Sequence, residues 1–290
     1  VHTIDYPKNK NEVILVDAST DRTRDIARRY TKTIVNDPGT GKGPALNRAL
    51  RKARGDVIYL LDADSLVDKH ALKTLVSCLD DQHPACIGLS CARNKKGFAS
   101  RVARQINALF NNAIHVILFT LGRTTFISGK NVVIEKATLQ RVGLFDNALT
   151  EDLNLAYKFL RAGKKIRFVP VTSTEIVPDS FRVLMKQQQR WIAGSLIEII
   201  GWVSASKKRD VIFKTTPSII IGYLPFFSFI FLLLSLTGNI LAFVALITGF
   251  LLVVGALHKF LDRDDLLFSV PAFVVVSALY FILVVWALYK

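Results

Sequence analysis

Asp62-Ala63-Asp64 follows directly on the apolar run Asp56–Leu61. Two carboxylates one residue apart at a strand end present hard oxygens to one divalent cation and leave coordination sites for phosphates. Asp17 closes a second strand-like run, Glu12–Val16, where it could cap the turn before Thr20. Lys42 stands in Gly39-Thr40-Gly41-Lys42-Gly43-Pro44-Ala45-Leu46-Asn47, close to a helix start, where a cation and the helix N-terminus together suit an anion. The Gly-x4-Gly-Lys-Ser/Thr spacing of a P-loop is absent from this stretch. Thr150-Glu151-Asp152 opens a helix, and acidic residues in a first turn complement the helix dipole. Gln187-x-x-Arg190-Trp191 lies within another helix, and its three residues share one face. There Arg190 suits phosphate oxygens and Trp191 suits a sugar ring, or the pair anchors the helix at a membrane interface.

The elements that must position these groups alternate between strand and helix. Helices are expected over Arg22–Tyr30, from about Ala45 to Ala53, near Lys69–Leu79 and over Leu153–Arg161, the last closed by Gly163. Strands are expected at Glu12–Val16, Thr33–Asn36, Asp56–Leu61 and near Ala85–Cys91. The nearly continuous apolar character of Asp56–Leu61 suits a strand buried on both faces of a mostly parallel sheet. Such alternation is the α/β pattern, whose ligand sites lie beyond the carboxyl ends of strands. Asp17 and the Asp62/Asp64 pair occupy such ends. Phe98, Val102, Ile106, Phe110, Ile114 and Leu118 recur every four residues, which predicts one apolar helical stripe or two consecutive helices packed on the chain's own core.

Charge divides the chain. Residues 1–214 hold 35 of the 38 Lys and Arg and 20 of the 23 Asp and Glu, whereas the rest is apolar and balanced. Pro217–Leu236, Asn239–Leu257 and Leu267–Tyr289 approach the roughly 20 residues that cross a bilayer. Thr237-Gly238-Asn239 breaks the first two runs apart, and the polar segment His258–Asp265 separates the second from the third. Lys207, Lys208, Arg209 and Lys214 precede the first run and place that side in the cytoplasm. No nucleic-acid module accompanies the positive charge, so anionic lipid headgroups are its expected partner. Cys78, Cys86 and Cys91 match no metal-site spacing and read as reduced cytosolic thiols.

In this order, the four acidic and Gln-x-x-Arg-Trp signals resemble those of the membrane-bound family 2 glycosyltransferases, the group of cellulose, chitin, hyaluronan and poly-N-acetylglucosamine synthases. The resemblance covers about residues 12–200. It implies a GT-A-type nucleotide-sugar-binding fold and a divalent ion, Mg2+ or Mn2+, held by Asp64 and Asp62. It also implies nucleoside contact by Asp17, although the family's usual Asp-Asp is here Asp17-Ala18. Lys42, in a stretch similar to the family's Gly-Lys-x-x-Ala-Leu-Asn, approaches the diphosphate. Asp152, beside Glu151, is the general base, and Ser128 and Gly129 line the acceptor side. Gln187 and Trp191 meet the acceptor, and Arg190 the donor's phosphates. The first strand at Glu12–Asp17 corresponds to the family's second, so an N-terminal strand and helix are expected to be missing.

The resulting expectation is an inverting transferase that moves a sugar from a nucleotide donor, a UDP-sugar, to a hydroxyl at the cytoplasmic membrane face in polysaccharide synthesis. The rival readings are single transfer to a lipid such as a polyprenyl phosphate, and a catalytically incomplete membrane anchor or partner subunit. Three regions are expected: a catalytic domain over residues 1–180, an amphipathic interfacial helix within 181–214, and a multi-pass membrane region over 215–290 with about three helices.

Overall fold

Aliphatic and β-branched residues build two short strands, β1 (Ile14–Asp17) and β2 (Thr33–Asn36), which pair in parallel from Ile14–Thr33 to Asp17–Asn36. These belong to a computed structural model that describes residues 3–121, 126–205, 223–258, 260–261 and 263–289. Between the two strands lies α1 (Thr23–Ala27), entered through Asp21, whose Oδ1 accepts the Thr23 N–H at 2.9 Å. It is shorter than expected because it buries no residue that would extend it by packing. Helix α2 (Lys42–Leu50) starts at Lys42 and not at Ala45. Pro44 sits in its first turn, where a missing N–H breaks no helical bond.

The chain continues through β3 (Val57–Leu60), β4 (Leu66–Val67), α3 (Ala71–Ser77) and β5 (Ala85–Ala92), then through α4 (Gly97–Ala108) and α5 (Ile114–Thr120). It resumes the alternation with β6 (Val132–Glu135), α6 (Lys136–Arg141), α7 (Glu151–Arg161) and β7 (Ile166–Glu175). Helices α8 (Phe181–Ala205), α9 (Leu224–Ser235), α10 (Ile240–Leu257), α11 (Arg263–Leu267) and α12 (Ser269–Tyr289) follow. The α/β class read from the alternation stands. The pairing is more mixed than a mostly parallel sheet: a five-stranded sheet runs β3-β6-β5-β7-β4, and β6 is antiparallel to both β3 and β5. Two helices intervene between β5 and β6, and the chain then enters β6 in the opposite direction.

Two compact units emerge, one of residues 1–89 with 126–173, the other of 90–125 with 174–290. In the first, the pleat sorts side chains to two faces. Ala85, Ile87, Val132 and Ile134 join Leu139, Leu155 and Phe159 on one side, while Cys86 and Val133 join Leu75 and Val169 on the other. Both faces of the sheet are therefore covered. Helix α7 ends as expected at Gly163, whose φ of 70° lets the Lys164 N–H reach the Phe159 carbonyl at 2.9 Å. The three cysteines are free thiols.

In the second unit, α4 and α5 are joined by a π-helical turn over Leu109–Ala113. Val102, Ile106, Ile114 and Leu118 of the four-residue stripe are buried, and Phe98 is exposed. Helix α8 contributes Leu184 and Ile192 to a cluster with Leu279 and Leu283 of α12. Buried polar contacts interrupt the apolar packing, among them Arg104 with Asp265 at 2.6 Å and the Tyr280 hydroxyl with Gln188 Oε1 at 3.0 Å. Among the described residues, one stretch is long and apolar enough to cross a membrane, Pro271–Tyr289; Leu224–Ser235 and Ile240–Gly255 are shorter. Residues 217–222 of the first expected span lie outside the described residues, as do Lys207, Lys208, Arg209 and Lys214.

Candidate functional site

Four chain segments of the first unit converge on the Lys42 amine. Gly41 precedes α2 with φ 121°, a backbone state open to glycine, and so turns Lys42 into the first helical position. The Lys42 Nζ lies 2.9 Å from Asp62 Oδ1, just beyond β3, and 3.6 Å from Glu151 Oε1 in the first turn of α7. Gly129, at φ 67°, closes the cluster. A Cβ on it would stand 3.1 Å from Asp152 Oδ2 and 3.4 Å from Lys42 Nζ, so the backbone approaches both charged groups closely. Asp152 Oδ1 also accepts its neighbour Leu153's N–H at 2.8 Å.

The electrostatics follow from three carboxylates around one amine. Burial, with Glu151 adding to it, pushes the Asp152 carboxyl up to about 6; Lys42 and the Leu153 amide pull the other way. Partial burial works against the Lys42 ammonium, but Asp62 and Glu151 outweigh it and hold its pKa above the ordinary lysine value. The cluster thus pairs a carboxylate poised to take a proton near neutrality with a permanent cation beside it.

Asp64 stands exposed in the turn after β3. Among the described residues, no three His, Cys, Asp or Glu side chains form a metal cage. The donor set fits an ion that arrives with phosphates, since Mg2+-type ions take one or two protein carboxylates and complete their shell with phosphate and water. Asp62 and Asp64 supply hard oxygens of that kind, and Asp62 already seats a positive group.

Asp17 is buried at the end of β1. Its Oδ1 accepts the Ser19 N–H at 3.3 Å and its Oδ2 lies 3.4 Å from Arg24 Nε, so it ties down the following turn. Ser128 is half-buried beside Gly129 in the loop before β6. Gln187, Arg190 and Trp191 belong to α8 of the second unit, with Arg190 exposed and the other two half-buried. The structure therefore gathers Lys42, Asp62, Glu151, Asp152 and Gly129, while Asp17 faces Arg24.

Two asparagines support this cluster; Asn47 closes the Gly-Lys-x-x-Ala-Leu-Asn stretch, which gave it no role, and Asn131 carries no readable signal in the sequence beyond its type. Asn131 is fully buried with φ 48°. Its Oδ1 accepts the Tyr59 hydroxyl at 2.8 Å and its Nδ2 donates to Leu89 O at 2.9 Å, which fixes the end of the Gly129 loop against β3 and β5. Asn47, on α2, donates to Phe145 O at 2.7 Å and accepts the Phe145 N–H at 3.2 Å. Beside it a Cβ on Gly43 would lie 2.0 Å from Asp146 O, so the helix rests directly on the loop leading to α7.

Comparison with known proteins supplies a lineage for this arrangement. The family described as glycosyl transferase family group 2 matches residues 57–289. A probable glycosyltransferase of Bacillus subtilis (strain 168) is 31% identical over 234 residues, covering 72% of this chain and 54% of that protein. The poly-beta-1,6-N-acetyl-D-glucosamine synthase of Staphylococcus aureus (strain COL) is 27% identical over 195 residues, covering 64% and 47%. The chain spans about half the length of these two relatives. Among solved structures, a mannosyltransferase of Pyrobaculum calidifontis in complex with GDP-Man and Mn2+ is similar with a TM-score of 0.59 at 22% identity, over 97% of this chain and 80% of that one. Staphylococcus aureus TarS 1-349 in complex with UDP-GlcNAc follows with a TM-score of 0.50 at 14% identity, over 97% and 84%. At these identities the two structures establish the GT-A-like fold.

Proposed function

The chain belongs to glycosyl transferase family group 2, and from that premise we propose that it transfers a sugar from a UDP-sugar to a hydroxyl acceptor, with inversion, in polysaccharide synthesis at the cytoplasmic face of a membrane. The observation that carries the reading is the placement of Lys42 between Asp62 and Glu151, against Asp152. This unites in one unit a cation for a leaving diphosphate and a carboxylate able to accept a proton. The synthase relationship supports a polysaccharide product.

In the proposed reaction Asp152 takes the acceptor hydroxyl's proton as the acceptor oxygen bonds to the anomeric carbon. The bond from that carbon to the diphosphate oxygen breaks on the opposite face, and the diphosphate leaves with the electron pair. Lys42 holds part of the charge that develops there. A divalent ion on Asp62 and Asp64, Mn2+ or Mg2+, would neutralise more of it. Glu151 keeps the Lys42 amine charged and in place. Gly129, lacking a side chain, leaves Asp152 open toward the acceptor, with Ser128 beside it, and Asp17 is assigned to the nucleoside. In the second unit we assign Arg190 to phosphate oxygens and Gln187 with Trp191 to the acceptor. We further assign residues 1–180 to catalysis, 181–214 to an interfacial helix and 215–290 to a multi-pass membrane region. The exposed Ile240, Leu241, Leu251 and Leu252 of α10 support lipid contact.

Calorimetry of the detergent-solubilised chain with UDP and with GDP, each with and without Mn2+, tests the donor site. Binding of UDP that requires Mn2+ is the expected result. Failure to bind either nucleotide in the presence of Mn2+ would sink the reading.

A further inference from the structure

We infer that Asn47 is a positioning residue that locks the helix bearing Lys42 to the loop leading into Asp152, so that the donor's charge partner and the base move as one body. The inference rests on the function proposed above. Its physical basis is the pair of hydrogen bonds by which one side-chain amide satisfies both the N–H and the carbonyl of Phe145. An amide is the one common side-chain group of this size that offers a donor and an acceptor side by side, so it reads a backbone residue as a neighbouring strand would.

Each side of the clamp is held independently. The Phe145 side chain is buried in the core of the first unit with Leu155 and Phe159 of α7. The next residue, Asp146, receives the Lys158 amine at 2.6 Å from α7 and has the Gly43 backbone pressed on its carbonyl. The loop therefore has its side chain anchored to α7 and its backbone anchored to α2. Glu151 and Asp152 open α7 and Lys42 opens α2. Beside the ion pairs of Lys42 itself, which a bound diphosphate would compete for, and the apolar packing of Leu46 and Leu50, the α2 start is held to the loop by Asn47, by the Gly43 contact and by the close approach of Gly41 to Asn147. A displacement of about 1 Å between reacting groups costs on the order of a hundredfold in rate, so a clamp of this kind acts on turnover more than on binding.

Two variants separate positioning from mere structural support. Asn47→Ala removes both hydrogen bonds; Asn47→Asp keeps the acceptor but sets a carboxylate oxygen against the Phe145 carbonyl. Mn2+-dependent UDP sites are counted and their affinity measured by calorimetry, and the sugar-transfer rate is expressed per titrated site. Both variants are expected to bind UDP within about threefold of the parent affinity and to turn over about ten- to a hundredfold more slowly per site. A purely structural role would reduce the number of sites and leave the rate per site unchanged, and that result in either folded variant overturns the inference. If the parent chain itself binds no UDP with Mn2+, the proposed function falls and takes this inference with it. Parent binding with unaltered rates in the variants sinks the clamp alone.

Discussion

Replacing Asp152 by asparagine should make the protein more stable and inactive at once. The Asp152 carboxyl titrates at about 6 in the folded chain against an ordinary 3.8, a gap of about 2 pH units at about 1.4 kcal/mol each. Folding with an ionised Asp152 therefore costs about 3 kcal/mol, a net figure that already includes the attraction of Lys42. Because the folded value is raised, the folded state binds more protons than the unfolded one between about pH 4 and 6, and stability falls as pH rises through that window. Above about pH 6 the whole cost is present, and below about pH 4 it is absent. Asp152→Asn removes the charge and keeps the shape. Thermal unfolding should show the variant melting higher near pH 7.5 by on the order of 10 °C, with the difference shrinking toward pH 4. Transfer should fall by about 10²- to 10⁴-fold, the usual contribution of a general base, while Mn2+-dependent UDP binding persists. A variant less stable than the parent at neutral pH, or a stability difference that ignores pH, would refute the electrostatic argument.

Asp64→Ala should abolish the Mn2+ dependence of UDP binding and weaken it by about tenfold or more, as read by calorimetry. Lys42→Met should move the acid limb of kcat/KM to higher pH, because the Lys42 amine holds the Asp152 carboxyl down; an unmoved limb would detach Lys42 from the base. Gly43→Ala should destabilise the first unit by about 1–3 kcal/mol, since its Cβ would meet a backbone carbonyl at 2.0 Å. Gly55→Ala, whose nearest contact would be an ordinary 3.7 Å, is the control in the same unfolding assay.

The places of Asp62 and of the Thr150-Glu151-Asp152 step were legible because a strand end and a helix start announce themselves in hydrophobic pattern and glycine placement. Lys42 was read only as close to a helix start, and the roles of all of them came from the family resemblance. Periodicity also exposed α4 and α5, though not the Arg104 that pairs with Asp265, since a buried charge reads as a surface residue until its partner is known. Partners were the blind spot throughout. Nothing near Asn47 announces Phe145, and nothing in Asn131 signals a left-handed backbone residue braced by Tyr59. Asp17 stood correctly at its strand end, but its engagement with Arg24 is a property of the turn's three-dimensional path. The antiparallel placement of β6 was equally hidden, because a short apolar run has the same composition in either direction.

The Asn47–Phe145 contact joins positions 98 residues apart, which has a consequence for synthesis on the ribosome. At about 5–20 residues per second, about 5–20 s elapse between the making of one partner and the other. During that interval the nascent chain carries Lys42 and Asp62 without Asp152, and α2, packed on β1 and β2, lacks the loop that ties it to α7. Lys42, Asp62 and Asp64 thus exist before the base does. Bringing the base to these groups waits for a long-range closure, so on the proposed reading a chain stopped before Phe145 holds a donor-side cluster with no base to work against.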